Sequence, residues 1–365
     1  MSDQHVLLIG GGHAHVAVLA DWIERGRPAR ASLLTPHPTL RYSGMVPGWI
    51  AGQYDRDEGL VDLAGLAERA GVELVLDRCA RIDPVARTVL CESGQKVAFD
   101  TASIDTGGVG RAQAVLGEDP RVLDVRPIDR FVQTLSGRDE ARDIVIVGGG
   151  AGGVELAFAL RNRKTVGREA PVAMITGREG LLPGFAPGVI TRVEHTLSRQ
   201  GIGIIEADAV MQDGVLQTSD SRFDPDLIIA ALGSAAPDWP SASGLAVDEQ
   251  GFIAVDRFQR STSHPHIFAS GDVAARTDRD VPHSGVHAVH TGPVLAANLR
   301  AAIDGETPRE SYIPRKASLY LLSTGDGGAI LSYGRWSAKG EWAGRLKRWI
   351  DKRWINKYAE LARRA

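Results

Sequence analysis

"DIVIVGGGAGGVELAFAL" (143–160) decides how this chain is read. Its opening apolar run has the pattern of a parallel strand buried on both faces. Glycines follow, then apolar residues at helical spacing. Strand, glycine turn and helix, in that order, are the setting in which G-x-G-x-x-G holds a dinucleotide. Gly148 makes the tight turn, and Gly150 lets backbone N–H groups approach a pyrophosphate. Gly153 lets the helix pack closely on the strand.

Toward the N-terminus the same order recurs in "HVLLIGGGHAHVAVLADWIER" (5–25). Gly10 and Gly12 fill the first two positions, but His15 stands at the third. A side chain there either pushes the helix outward or turns toward the ligand. Taken alone, this turn leaves a nucleotide site and a mere glycine-rich turn both open. The complete copy, about one domain length further on, favours the site. The exits also match: "FDTASIDTGG" (99–108) and "FDPDLIIAALGS" (223–234) each start Phe-Asp, continue as a strand and end at a glycine turn, with Gly107 and Gly233. A third signal, "HPHIFASGDVA" (264–274), ends an apolar stretch at Gly271-Asp272, where an acid can reach a sugar hydroxyl.

The 365 residues allow two or three domains. Hydrophobic content is 43% and charged content 24%, so a soluble globular chain is expected. A net charge of −3 implies no general affinity for nucleic acid. Cys79 and Cys91 have no metal or C-x-x-C spacing, which fits a reduced cytoplasmic compartment. There is no long uncharged apolar run, so no spanning segment is expected.

On these motifs the chain resembles flavoproteins of the pyridine nucleotide-disulphide oxidoreductase type, over residues 5 to about 310. The resemblance implies an α/β fold with two Rossmann-like domains. FAD would lie at the first fingerprint (Gly10, Gly12, Ala14, His15) and NAD(P)H at the second (Gly148, Gly150, Gly153). Thr106-Gly107 would mark the crossing between domains, and Asp272 would hold the flavin ribityl chain. "GGGHAHV", "RYSGMVPG" and "LYLLSTGDG" resemble a narrower group, similar to type II NADH dehydrogenases and also found fused to selenide, water dikinase. In that group a histidine replaces the third glycine. The implied boundaries are 1–112 with 245–310 for the FAD domain, 113–244 for the NAD(P)H domain and 311–365 for a C-terminal interface region.

One departure concerns the ribose-binding acid expected about twenty residues past each fingerprint. Those positions are Thr35, followed by Pro36, and Thr176. Arg178 adds a cation that suits a 2′-phosphate, so NADPH stands beside NADH. The other concerns thiols. A disulphide reductase would carry a cysteine pair after the first helix, but "RYSGMVPGW" (41–49) has none. By resemblance Ser43, Gly44, Met45 and Pro47 line the isoalloxazine and pyrophosphate. Arg41 is either a phosphate partner or a surface arginine, and Tyr42 either a core residue or part of the acceptor pocket.

Glu155 is either a solvated residue favoured by the helix dipole or, by resemblance, the carboxylate facing the nicotinamide. "PHSGVHAVHTG" (282–292) starts a helix whose N-terminus, near Val286, would face the flavin. His287 and His290 share a helical face: they are core histidines or proton donors for quinone reduction. No metal is expected.

The expected activity is transfer of hydride from NAD(P)H to flavin and of electrons to a quinone or similar small acceptor. The alternatives are a reductase of a protein or selenium-linked acceptor, and a non-catalytic NAD(P)H-sensing flavoprotein. Past residue 310, two apolar runs around Gly325-Asp326-Gly327-Gly328 predict a β-hairpin. A basic amphipathic helix follows, with Leu346, Trp349, Ile350, Trp354, Tyr358 and Leu361 as its apolar stripe. Residues 343–365 carry eight Lys/Arg against Asp351 and Glu360. The stripe fits a peripheral dock on the anionic inner face of the cytoplasmic membrane. It equally fits packing on the body or on a second subunit as a homodimer contact.

Overall fold

The computed structural model describes residues 2–138, 140–141, 143–163, 171–315 and 317–363. Two five-stranded parallel sheets organise it. In the first, the strand order is Ile267–Ala269, Thr101–Ile104, Ser2–Ile9, Ala29–Thr35, Glu73–Leu76. In the second it is Val122–Asp124, Leu227–Ala230, Ile144–Val147, Val172–Ile175, Ile202–Ile205. The two orders correspond. Each fingerprint strand is central, between its Phe-Asp exit strand and the next strand of its own unit. The order reverses there, which opens the crevice where doubly wound sheets bind ligands. Residues 144–147 and 227–230 are buried throughout, as apolar parallel strands covered on both faces must be.

Each domain also carries a small antiparallel sheet between its last parallel strand and its exit strand, over residues 79–98 in the first and 210–223 in the second. In the first domain, helix His13–Arg25 packs against the long helix Gly285–Ile303. Gly292 permits that approach, because a Cβ there would press on Ala14 and Ala17.

The chain crosses between domains where Val109 and Ala235 form an antiparallel bridge, N–O 2.9 Å in both directions. Ala112 and Leu116 pack in the core of the second domain. Leu245 and Trp239 pack in that of the first, and Ile82 N donates to Ser243 Oγ at 3.1 Å. The return crossing thus lies near 235, about ten residues before the position taken from the sequence.

The two apolar runs after 310 pair as Leu319–Ser323 with Ala329–Tyr333, and a third strand, Trp336–Gly340, extends the hairpin. Helix Glu341–Arg363 follows. Leu322 and Ile330 join the core of the second domain. Ile355, Tyr358 and Leu361 join that of the first, with Trp354 against it. The C-terminal region therefore straddles both domains. Packing on the body accounts for the lower half of the apolar stripe, so Tyr358 and Leu361 do not face lipid. The upper half is turned: Trp349 is 57% exposed, while Ala343, Lys347 and Asp351 point inward. Arg364, counted in the basic charge, lies outside the described residues.

Candidate active site

The first fingerprint closes on Asp105. Gly10, at φ +95°, has Asp105 O against its Cα, where a Cβ would collide. Gly12 is the helix N-cap and contributes no side chain. Asp105 caps instead: Oδ2 accepts from Ala14 N at 2.7 Å and His15 N at 3.0 Å, and its backbone oxygen accepts from Gly12 N at 3.1 Å. Thr35 lies beneath the loop, its Oγ1 about where a Cβ on Gly11 would press. Thr106 N lies against Gly10 and Gly271 against Asp105 Oδ1, while Pro36 and Val286 are half-buried.

His15 neither pushes the helix away nor reaches a ligand. It is fully buried, with Nδ1 2.6 Å from Gly10 O and Nε2 2.8 Å from Ser103 Oγ. Burial lowers its pKa to about 4. Its assignment as a cofactor contact is corrected: it braces the turn from within. In the second fingerprint a Cβ on Gly153 would collide with Gly148 O, so the third glycine is sterically required there. A Cβ on Gly150 would meet nothing within 4 Å, which leaves the backbone open to a ligand.

Two further candidates make contacts within the protein. Arg41 is buried; its Nε donates to Asp129 Oδ1 at 2.9 Å and its Nη1 to Arg56 O at 2.6 Å. It ties the first domain to helix Ile128–Ser136 of the second. Met45 is 2% exposed and belongs to the first domain's core.

Arg178 pairs with Asp208 at 2.7 Å, both largely exposed. Asp208 lies one strand later, past Ile202–Ile205. Thr176 Oγ1 donates to Gly177 O and Ile205 O.

Glu155 is not a solvated helix residue. It is 16% exposed, and its Oε1 accepts from Ser323 N at 2.8 Å and lies 4.0 Å from Lys347 Nζ. Lys347 Nζ also donates to Gly44 O at 3.0 Å and to Asp351 Oδ2 at 3.2 Å. Tyr54 OH donates to the same carboxylate at 3.3 Å. Burial, then Asp351, pushes Glu155 upward against Lys347 and the Ser323 N–H. Burial alone would lower Lys347, but Glu155 and Asp351 outweigh it and raise it. Lys347, set between two buried carboxylates, is held in its charged form. Tyr42 borders this group and stacks on Trp354 at 4.6 Å; Trp354 is 5.4 Å from the His13 ring. Lys347, Asp351, Tyr54 and Asp208 escaped the sequence reading. The available signal was Lys347 and Asp351, four apart and in register with Trp354 and Tyr358.

His287 is buried, with Nδ1 2.7 Å from Tyr312 OH, and burial lowers its pKa. His290 is exposed and stacks on the same tyrosine at 6.4 Å. A cleft beside them is lined by Asp272, His283, Ser284 and His287.

The sequence profile of the pyridine nucleotide-disulphide oxidoreductase family matches residues 4–292. The chain belongs to this family. FAD and NAD(P)H are the cofactors of pyridine nucleotide-disulphide oxidoreductases of this kind. Ferroptosis suppressor protein 1 of Xenopus laevis is 27% identical over 258 residues, 65% of this chain and 65% of that protein. The NADH dehydrogenase-like protein YutJ of Bacillus subtilis is 22% identical over 290 residues, 76% and 78%. The sulfide:quinone oxidoreductase of Aquifex aeolicus shares the fold, with TM-score 0.79 at 18% identity over 98% of this chain and 92% of that one. The chain spans just under two thirds of the Xenopus protein's length, and about half that of the nitric oxide reductase FlRd-NAD(+) reductases it also matches.

The residues present fit the two nucleotides. His13 Nε2, Ser234 Oγ and Ser284 Oγ are buried without a partner. They stand at the first fingerprint, at the domain crossing and at the N-cap of the long helix. Each is a polar atom that a dinucleotide in the crevice would satisfy.

Proposed function

We propose that the chain is an NAD(P)H-dependent oxidoreductase that delivers electrons to a quinone or similar small acceptor. The reading rests on Glu155, which lies on the second fingerprint's helix and is held by Ser323 and Lys347 toward the first domain. FAD, when bound, supplies the two-electron centre between nicotinamide and acceptor.

Glu155 accepts from the carboxamide and so orients the nicotinamide. Lys347 keeps that carboxylate in place and neutralises it. Gly44, whose carbonyl Lys347 also holds, fixes the 43–47 segment. His287, backed by Tyr312, stands where a proton is delivered to the acceptor. A small acceptor is favoured over a thiol relay because Cys79 and Cys91 both lie in the 79–98 sheet, away from Glu155. The Asp208 carboxylate disfavours a 2′-phosphate, so NADH is the preferred donor.

The outward face of the C-terminal helix carries Trp342 and Trp349 with Arg345, Lys352 and Arg353. This face, rather than the packed stripe, is the one suited to an anionic membrane surface. No helix among the described residues is long and apolar enough to cross a membrane.

The test is anaerobic. The FAD-loaded chain is mixed with NADH or NADPH and then with a soluble quinone or a ferredoxin. Bleaching of the flavin absorbance by NADH and its return with quinone support the reading. No bleaching by either nucleotide overturns it, and return with ferredoxin alone moves the acceptor to a protein.

A further inference from the structure

We propose that Asp105 makes FAD binding proton-coupled: the cofactor enters with uptake of one proton onto the Asp105 carboxyl, so it is held tightly at acid pH and loosened as pH rises. The proposal rests on the reading that FAD lies at the first fingerprint.

A helix N-terminus attracts an anion through its free N–H groups and dipole. Here one anion is built in. Asp105 takes the N–H groups of Ala14 and His15, and its carboxyl fills the space a Cβ on Gly12 would need. A pyrophosphate at this turn would stand beside that carboxylate, and two anions so close cannot both stay charged cheaply.

The neighbours do not neutralise it. On helix His13–Arg25, His13 and His15 both have pKa values lowered to about 4, chiefly by burial, and are uncharged near neutrality. On the 267–276 side, Gly271 packs on Asp105 Oδ1, and Asp272 adds a like charge. Arg126, just past strand Val122–Asp124 of the second domain, is engaged by Asp272 Oδ2 at 2.6 Å. Burial accordingly pushes the Asp105 pKa up to about 7, against the His15 and Ala14 N–H groups. The protonated carboxyl still accepts both N–H groups through one oxygen and gains an O–H donor on the other.

The second domain is an internal control. Ala231 O approaches Gly148 as Asp105 O approaches Gly10. The backbones correspond and only the side chain differs, so the nicotinamide nucleotide should bind without this proton.

FAD binding to the flavin-free chain is measured calorimetrically from pH 5.5 to 9, in two buffers of different ionisation enthalpy. FAD has no group of its own that titrates near neutrality. The expected results are uptake approaching one proton per FAD near pH 8 and a Kd that rises up to tenfold per pH unit above about 7. Asp105→Asn should abolish both and bind FAD more tightly than wild type at pH 8.5. Uptake that survives Asp105→Asn, or that disappears instead in His13→Gln, overturns the proposal. If Asp105→Asn does not fold, infrared difference spectra of the wild-type chain decide: a protonated-carboxyl band must appear when FAD is added, and its absence overturns the proposal. FAD binding without proton uptake removes only the role of Asp105; no FAD binding at any pH removes the cofactor assignment as well.

Discussion

Glu155 and Ser323 lie 168 positions apart, yet Oε1 of the first accepts a 2.8 Å hydrogen bond from the backbone N of the second. The carboxylate that starts in one nucleotide-binding domain is therefore fixed by the C-terminal sheet. Any change that loosens that sheet reaches this carboxylate.

Glu155→Gln keeps the shape and the Ser323 contact but removes the charge opposite Lys347. Reduction by NADH should slow by about 10²-fold, the scale of a lost positioning or acid–base group, and reoxidation by quinone much less. Stopped-flow measurement of the two half-reactions checks this; equal slowing would remove Glu155 from the nicotinamide side.

Lys347→Met leaves two buried carboxylates without their cation. Breaking a buried pair from one side costs about 3–5 kcal/mol, so the denaturation midpoint should drop clearly. Adding Glu155→Gln should restore part of the loss, since one uncompensated charge disappears. A double variant no more stable than the single one would show that the two groups do not interact.

His15→Gly restores the three-glycine pattern but should weaken the fold. It empties a fully buried site and leaves Gly10 O and Ser103 Oγ without a partner. A loss of about 2–4 kcal/mol is expected from the cavity and the unmade hydrogen bonds. Urea denaturation measures it, and a more stable variant would contradict the bracing role.

Asp208→Ser frees Arg178 from its 2.7 Å pair. The KM for NADPH should fall several-fold while that for NADH changes little or rises. Arg178→Ala in the wild-type background should leave the NADH preference in place. Equal shifts for both nucleotides would remove the pair from the 2′ position.

The pH dependence of stability follows from Asp105, whose pKa lies near 7 when folded and near the ordinary aspartate value when unfolded. Between about pH 4 and 7 the folded chain holds a proton that the unfolded chain has lost, so this contribution to stability falls as pH rises, by about 1.4 kcal/mol per unit. His13 and His15, whose pKa values are lowered to about 4, act in the opposite sense over the same range, so the Asp105 contribution is read against Asp105→Asn. Asp105→Asn should gain on wild type as pH rises across that window, and a stability difference between the two that is the same at pH 5 and pH 8 would refute the assignment.

The fold was legible because its signals are local. A turn that needs φ +95° at Gly10 and +129° at Gly148 writes glycine into the sequence, and buried parallel strands write continuous apolar runs. The candidate site was legible only in part. An aspartate at a strand end looks the same whether it binds a ribose or, like Asp105, caps a neighbouring helix. Asp208 was missed because the acid was sought at the end of the second strand. The strand Trp336–Gly340 has no clean alternation, with serine, alanine, lysine and glycine following its tryptophan. Lys347 and Asp351 read only as part of the charge of a basic helix, since nothing local says that the upper half of the helix turns these two inward.

The straddling C-terminal region has a consequence for biosynthesis. A ribosome that has released residues 1–310 has delivered both nucleotide folds, but Glu155 then has neither the Ser323 N–H nor the Lys347 ammonium. Until about fifty more residues emerge, the nascent chain exposes the faces that Leu322, Ile330 and Tyr358 later cover. Chains cut short in that interval would present apolar surface to chaperones and proteases, so completeness of translation is tested at the same place where Glu155 is fixed.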